Sequence, residues 1–261
     1  MGDFENGFQL EQEEMEMSKI IFLTSSLSGP LDGSRLVDGL DQMNKFVENL
    51  QQYWPENARC LMITAAPDNA AMNDEMTEFF GKAVKKAGLT WQAFDLWDRR
   101  TQDFSEEVLH SYDVVFLGGG HVPTQNRFLK EIGLREKIQD FEGMIIGISA
   151  GTMNSADIVY AQPELPGESE DPEYERFLQG LGLTKTMILP HYQMVKDNEL
   201  DGKRLYEDIT YGDSYGKRFL VLPDGSYLLC VDGKESVWGE AWEICDGKMN
   251  KICEDRKSRA Y

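Results

Sequence analysis

The chain is poor in histidine, cysteine and positive charge. Its 261 residues include 3 histidines, 4 cysteines and 26 Lys and Arg against 46 Asp and Glu, for a formal net charge of -20. A field of this sign repels nucleic acid and anionic membranes and favours solubility. The cysteines form no C-x-x-C pair and no dense framework, so we expect neither a structural metal site nor a disulfide-stapled fold.

Two further absences bear on location and organisation. No apolar run approaches the ~18 residues of a membrane span, and the N-terminus lacks the basic and apolar regions of a secretory signal. Residues 1–17 carry acidic side chains and no basic one. We therefore expect a cytoplasmic protein with an acidic N-terminal extension (1–17) and a single α/β domain (18–261).

From residue 19 onward, short apolar runs alternate with segments of helical periodicity. Nearly continuous apolar runs are typical of strands buried on both faces of a parallel sheet. The alternation predicts an α/β fold with a mostly parallel sheet and helices on both faces. The predicted strands are 20–23, 60–64, 91–96, 114–117, 144–148 and 187–189, and the predicted helices are 37–53, 74–87 and 134–140.

The last part of the chain has a different pattern. Short apolar segments at 219–222, 226–231, 236–238 and 241–245 are separated by turn residues such as Asp and Gly. This pattern predicts a C-terminal antiparallel meander that finishes the sheet or covers one edge. Residues 162–175 are rich in proline and acidic side chains and predict a surface loop.

The segment Gly147-Ile148-Ser149-Ala150-Gly151 connects a predicted strand to a segment of helical composition. A serine with glycine two before and two after it, at a strand-to-helix turn, forms a nucleophile elbow that exposes its hydroxyl. The glycines are needed because a Cβ would collide with crowded backbone. Ser149 is therefore the candidate nucleophile, and a tight turn with an incidental serine is the alternative.

A run of glycines, Gly118-Gly119-Gly120, directly follows another predicted strand. Backbone N–H groups near Gly119 and Gly120, together with the N–H of Ala150, could form an oxyanion hole. A phosphate-binding loop is the alternative, but the run lacks the G-x-G-x-x-G spacing and the lysine of a P-loop. Beside the elbow, the run favours the oxyanion hole.

The three histidines limit the choice of a general base. His110 lies near a predicted helix end on the opposite rim of the sheet and fits a structural role. His191 follows a predicted strand on the same rim as Ser149, where an imidazole can take the serine proton and return it to the leaving group. His121, beside the glycines, is the competing base or a substrate contact. Spacing alone does not choose among the acids between Ser149 and His191.

The glycine run, the Gly-Ile-Ser-Ala-Gly elbow and the Pro190-His191 pair, in this order, resemble the peptidase E family of serine peptidases. That family includes the aspartyl dipeptidases and the related cyanophycinases, and the resemblance covers residues 19–231. It implies a glutamine amidotransferase-like fold and a Ser-His-acid catalytic triad. The acid position that it implies falls on Glu164, with Asp157 as the reserve.

The resemblance also implies a substrate. Peptidase E cleaves dipeptides and similar short substrates with an N-terminal Asp, and a basic residue beyond the histidine helps to hold that carboxylate. Arg204 is at about the right place, and a guanidinium suits a carboxylate. An exposed arginine paired with Glu207 or Asp208 is the alternative. His121 stands where asparagine is usual in the family, which bears on the Asp preference.

These features together predict a serine-type peptidase that hydrolyses small peptides. Ser149 is expected to attack the carbonyl, His191 to transfer the proton and Glu164 to orient the imidazole. The prediction implies no metal or organic cofactor, a small peptide substrate as the partner, no nucleic acid or membrane, and either a monomer or a homodimer. A cyanophycinase-like or esterase activity on the same triad, or an inactive binding relative, are the alternatives.

Overall fold

The computed structural model describes residues 19–28 and 39–261. The predicted extension at 1–17 lies outside these ranges, as do the first residues of the helix predicted over 37–53. No helix in the described ranges combines the length and the apolar character that a membrane crossing requires.

Strands and helices alternate in the first half of the described chain, and strands dominate the second half. The strands are β1 (Ile20–Thr24), β2 (Ala58–Ile63), β3 (Trp91–Trp97), β4 (Val114–Leu117), β5 (Met144–Ile148), β6 (Ile158–Tyr160), β7 (Phe177–Gln179), β8 (Met187–Leu189), β9 (Glu199–Leu200), β10 (Lys203–Arg204), β11 (Arg218–Val221), β12 (Tyr227–Val231), β13 (Lys234–Trp238), β14 (Ala241–Cys245), β15 (Lys248–Cys253) and β16 (Ser258–Ala260). The helices are α1 (Phe46–Tyr53), α2 (Ala70–Lys86), α3 (Glu106–Leu109), α4 (Val122–Glu131), α5 (Leu134–Lys137), α6 (Ala150–Asn154), α7 (Tyr192–Val195) and α8 (Tyr211–Asp213), with a 3-10 turn at Met43–Lys45 and a π-helix at Leu205–Thr210.

The largest sheet in the described ranges has the strand order β16-β13-β12-β1-β5-β4-β2-β3. Strands β1, β5, β4, β2 and β3 are parallel, and β12, β13 and β16 extend the sheet in antiparallel fashion. Met144 pairs with both Ile20 and Val114, so the carboxyl ends of β1, β4 and β5 lie side by side. The predicted α/β class and its mostly parallel sheet are confirmed.

The two faces of this sheet bury different apolar side chains, because successive residues of a strand point to opposite sides. On one face, Phe22 and Ile146 belong to a buried cluster with residues of α1 and α2. On the other face, Leu23 and Ile145 belong to a cluster with Phe128 of α4. Burial of each such side chain contributes roughly 1.5–3 kcal/mol. The sheet is therefore stabilised on both faces, and it holds the loops at the carboxyl ends of its strands in fixed positions.

The apolar run 187–189 was expected in the parallel sheet, but as β8 it belongs to a second sheet with the order β15-β14-β11-β8. Strand β8 is parallel to β11, with Ile188 opposite Leu220. Ile188 is buried like a residue of the main sheet, which explains why the sequence pattern is the same. The predicted meander is divided, since β12 and β13 complete the main sheet while β11 and β14 belong to the second one.

A side-chain hydrogen bond joins the carboxyl ends of β1 and β11, which belong to the two different sheets. Ser25, directly after β1, donates its hydroxyl to the carbonyl of Leu222, directly after β11, over 3.1 Å. The carboxyl ends of β5, β8 and β11 are thereby brought to one place in the molecule. Active sites in open α/β sheets form at this end of the strands.

Candidate active site

Ser149 occupies the turn between β5 and α6 in a strained conformation. Its φ of 50° and ψ of -110° lie in a region that non-glycine residues rarely adopt. The turn is held by two backbone hydrogen bonds, from Ser149 N to the carbonyl of Thr24 at 3.0 Å and from Gly151 N to the carbonyl of Gly118 at 3.1 Å. The strand-turn-helix predicted around Ser149 is therefore present, with the backbone fixed on both sides of the serine.

The flanking glycines are required by close backbone contacts. A Cβ on Gly151 would lie 2.1 Å from the carbonyl oxygen of Leu117, and one on Gly147 would lie 2.9 Å from the Cα of Thr152. Both neighbours are backbone atoms, which cannot move aside as the end of a flexible side chain can. The elbow can therefore form only with glycine at these two positions.

His191 caps the start of α7, between that helix and the carboxyl end of β8, with a left-handed φ of 58°. Its Nε2 lies 2.9 Å from Ser149 Oγ, and its Nδ1 lies 2.6 Å from Asp224 Oδ1. Because a carboxylate only accepts, the proton is assigned to Nδ1, which leaves Nε2 free to accept from the serine hydroxyl. Serine, histidine and aspartate thus form a continuous hydrogen-bonded chain.

Asp224 lies in the turn Pro223-Asp224-Gly225 between β11 and β12, and its side chain is fully buried. Its second carboxylate oxygen accepts a hydrogen bond of 2.6 Å from Gln193 Nε2. The sequence pattern does not predict Asp224, because the chain order Ser, acid, His places the acid between the serine and the histidine. By sequence the turn 223–225 predicts only a connection between strands, although it follows a strand end on the same rim as Ser149.

Glu164, the predicted acid of the triad, lines the same cleft but does not bond to His191 Nδ1. Its carboxylate lies 3.9 Å from His121 Nε2. Burial is the largest cause of a raised pKa at Glu164; the nearby Glu168 carboxylate raises this pKa further, whereas His121 lowers it. Because Asp224 occupies His191 Nδ1, the structure disagrees with the prediction that Glu164 orients the imidazole.

Asp157, the reserve acid, is engaged elsewhere. It was expected on the helix that follows the elbow, but α6 ends at Asn154. The Asp157 carboxylate accepts a hydrogen bond of 2.6 Å from Arg135, and about half of its side chain is exposed. It therefore belongs to a surface ion pair, not to the site around His191.

His121 precedes α4 and has both ring nitrogens occupied. Nδ1 lies 2.7 Å from Thr124 Oγ1, and Nε2 lies 2.8 Å from Glu168 Oε1. The other oxygen of Glu168 accepts hydrogen bonds from the backbone N–H groups of Glu164 and Leu165, at 2.9 and 3.0 Å. His121 thus fastens the acidic loop, residues 162–175, against α4. In this arrangement Ser149 is hydrogen-bonded to His191, and the contact of His121 with the cleft is its 3.9 Å approach to Glu164.

The backbone of each predicted oxyanion donor is near Ser149: Ala150 follows it in the chain, and Gly120 lines the same cleft. A Cβ on Gly119 would be 3.3 Å from the Cβ of Ser149, so the backbone of Gly119 runs beside the serine. Among the described residues, none accepts a hydrogen bond from the N–H of Gly119, Gly120 or Ala150. These N–H groups remain available to a substrate oxygen, as an oxyanion hole requires.

Ser149 and His191 open into a cleft of about 130 Å³ with an acidic lining. Glu164 and Glu199 line it, and its lining within the described ranges contains no lysine or arginine. Arg204, the predicted carboxylate-binding residue, donates two side-chain hydrogen bonds to Asp208, at 2.6 and 2.9 Å. The surface ion pair, given above as the alternative for Arg204, is the arrangement observed.

Known proteins share both the family pattern and the fold. The family model for peptidase family S51 matches residues 31–237. A crystal structure of a peptidase from an acI-B1 Actinobacterium has a TM-score of 0.65 and 15% identity, covering 94% of this chain and 98% of its own. The structure of a putative peptidase E protein from Listeria monocytogenes EGD-e has a TM-score of 0.54 and 16% identity, covering 90% of this chain and 100% of its own.

A search of curated proteins finds no match. The two solved structures, at these identities, show similarity of fold alone. The family model is the stronger finding, because it spans well over half of the chain and includes the glycine run, the elbow and the histidine. The chain is a peptidase that belongs to family S51, the peptidase E family of serine hydrolases.

Proposed function

We propose that this serine peptidase hydrolyses small peptides through a triad of Ser149, His191 and Asp224. The observation that carries the proposal is the chain of two hydrogen bonds, 2.9 Å from Ser149 Oγ to His191 Nε2 and 2.6 Å from His191 Nδ1 to Asp224 Oδ1. A nucleophile, a base and an orienting acid in hydrogen-bond contact are the parts that acyl transfer requires.

In the proposed mechanism, Ser149 Oγ attacks the peptide carbonyl carbon while His191 Nε2 accepts the hydroxyl proton. Asp224 holds the imidazole in the correct tautomer and stabilises the positive charge that forms on it. The N–H groups of Gly119, Gly120 and Ala150 bind the oxyanion. His191 then gives the proton to the leaving amine, and the C–N bond breaks. Water, deprotonated by His191, attacks the acyl-enzyme and releases the acid and the free serine.

The charge of the cleft bears on the substrate. An aspartate side chain in this cleft would face Glu164 and Glu199, and Arg204 is paired with Asp208 outside it. Like charges in a partly desolvated cleft repel more strongly than in water. The proposed substrates are therefore small peptides with a neutral or basic group next to the scissile bond, not dipeptides with an N-terminal Asp.

The same charge favours cyanophycinase-like hydrolysis as a second candidate. That polymer carries arginine side chains, and a guanidinium forms strong hydrogen bonds with carboxylates such as those of Glu164 and Glu199. Both activities use the same triad, so only the substrate separates them.

A substrate panel tests the proposal. Wild type and Ser149→Ala are compared on amides and dipeptides that begin with Arg, Ala or Asp, and on cyanophycin, with fluorophosphonate labelling as a second readout. Ser149→Ala should lower kcat by about 10⁵-fold or more, because the nucleophile is lost. Ser111→Ala, which removes an exposed hydroxyl bonded to the carbonyl of Val108, is the matched control. Undiminished hydrolysis by Ser149→Ala would refute the mechanism, and a preference for Asp would refute the substrate class.

A further inference from the structure

Gln193 makes two hydrogen bonds to Asp224 from a single carboxamide. Its Nε2 donates to Asp224 Oδ2 over 2.6 Å, and its Oε1 accepts from the backbone N–H of Asp224 over 2.9 Å. Gln193 lies on α7, two residues after His191. Gln193 on α7 and His191 directly before this helix therefore bind the two oxygens of one carboxylate.

We propose that Gln193 is a positioning residue of the triad, which fixes the Asp224 carboxylate so that Oδ1 meets His191 Nδ1. This inference rests on the proposed function. A carboxylate that turns about its Cβ–Cγ bond moves Oδ1 away from His191 Nδ1 and weakens the 2.6 Å hydrogen bond between them. The carboxamide prevents this, because it bonds the second oxygen and the backbone of Asp224 at once.

The residue type suits the task. A carboxamide carries a donor and an acceptor on one rigid group and has no charge at any working pH. An ionised carboxylate in its place would face Asp224 with the same charge, while a protonated one would again offer one O–H donor and one acceptor. A substitution by glutamate at this position therefore behaves as a close mimic of glutamine at low pH and as a repelling charge at high pH.

The test measures how fast a fluorophosphonate labels Ser149, since this rate depends on the activated nucleophile and requires no knowledge of the substrate. Wild type, Gln193→Glu, Gln193→Leu and Gln51→Glu are compared between pH 5 and 9. Gln51 is the matched control because its carboxamide is exposed and donates to the carbonyl of Ala87. The thermal midpoint of each variant is recorded alongside.

Gln193→Leu should slow labelling about 10² fold at every pH, because the orienting acid is no longer held in place. Gln193→Glu should label close to the wild-type rate at pH 5 and lose this rate as the pH rises and the new carboxyl ionises. Wild type and Gln51→Glu should show no such loss. If Gln193→Leu does not fold, the positioning role is judged from Gln193→Glu alone. Its labelling rate should still fall with rising pH while its thermal midpoint equals that of wild type.

Two outcomes separate this inference from the proposed function. If wild type is labelled at Ser149 and the pH profile of Gln193→Glu matches that of Gln51→Glu, then the positioning role is refuted and the triad stands. If wild type is not labelled at Ser149 at any pH, the proposed function itself has failed, and the inference fails with it. A purely structural role of Gln193 predicts a lower thermal midpoint without a change in the pH profile.

Discussion

The catalytic side of the cleft and its acidic wall are built in different ways. Ser149, His191 and Asp224 all follow strand ends, and the elbow and the left-handed backbone at His191 are fixed by the fold itself. The wall, formed by the acidic loop at 162–175, is tied down through side chains such as Glu168. Under the proposed function, the reaction therefore depends on the backbone at the strand ends, while the choice of substrate depends on side chains of the loop.

The wall also shows a structural use for part of the negative charge. Asp201 accepts hydrogen bonds from Gly167 N at 2.8 Å and from Ser169 Oγ at 2.8 Å, and Glu168 accepts from His121 and from two backbone N–H groups. Carboxylates suit this task because they accept several hydrogen bonds at once and form the stronger, charge-assisted kind. The carboxylates near the cleft therefore hold the loop in place by hydrogen bonds and also make the electrostatic potential around the cleft negative.

Within this comparison of the two regions, the largest effect is expected for the two acids that compete for the triad. Asp224→Asn should lower kcat/KM by about 10⁴-fold, because an amide beside Nδ1 favours the wrong imidazole tautomer. Glu164→Gln should change kcat by less than about 10-fold, since Glu164 lines the cleft without bonding to Nδ1. Both variants are assayed on the best substrate of the panel. The reverse ranking would return the role of the orienting acid to Glu164.

A smaller effect is expected when the wall is loosened. Glu168→Ala removes three hydrogen bonds and should lower the free energy of unfolding by about 1–2 kcal/mol, while KM rises less than about 10-fold and kcat changes little. Denaturant unfolding and steady-state kinetics measure these quantities. Glu170→Ala, in the same loop but exposed, is the control. A large fall in kcat with unchanged KM would show that the wall takes part in the chemistry.

The contrast between the two regions also explains what the sequence could predict. Ser149 and His191 were predicted from strand ends and glycine spacing, because these patterns reflect backbone geometry that nearby residues determine. Asp224 was not, since its place depends on which distant turn β11 brings beside β8, and short apolar runs do not specify strand partners. For Arg204 the sequence allowed two interpretations, binding of a substrate carboxylate or an ion pair with Asp208. Spacing does not choose between them, because an arginine four residues from an aspartate can do either.

The smallest expected effect is a pH dependence of stability that originates in the wall. Burial raises the pKa of Glu164 above its ordinary value of 4.5, so protonation of this carboxyl is more favourable in the folded protein than in the unfolded chain. The associated stability is fully present below pH 4.5 and is lost as the pH rises through the folded-state pKa. Glu164→Gln stays neutral, so its free energy of unfolding should exceed that of wild type only on the alkaline side of this window. Because 46% of the side chain is exposed, solvent screening keeps the gain below about 1 kcal/mol.

Denaturant unfolding of wild type and Glu164→Gln from pH 4 to pH 8 measures this difference, with Glu170→Gln as the control for removing one negative charge from the same loop. A gain in Glu164→Gln that is largest at low pH and vanishes at neutral pH would contradict the sign derived from burial. It would mean that His121 stabilises the ionised Glu164 carboxylate by more than burial destabilises it, as in a fixed ion pair. The negative charge of Glu164 would then be paired with His121 within the protein, as Asp224 is paired with His191, and would repel an acidic substrate less.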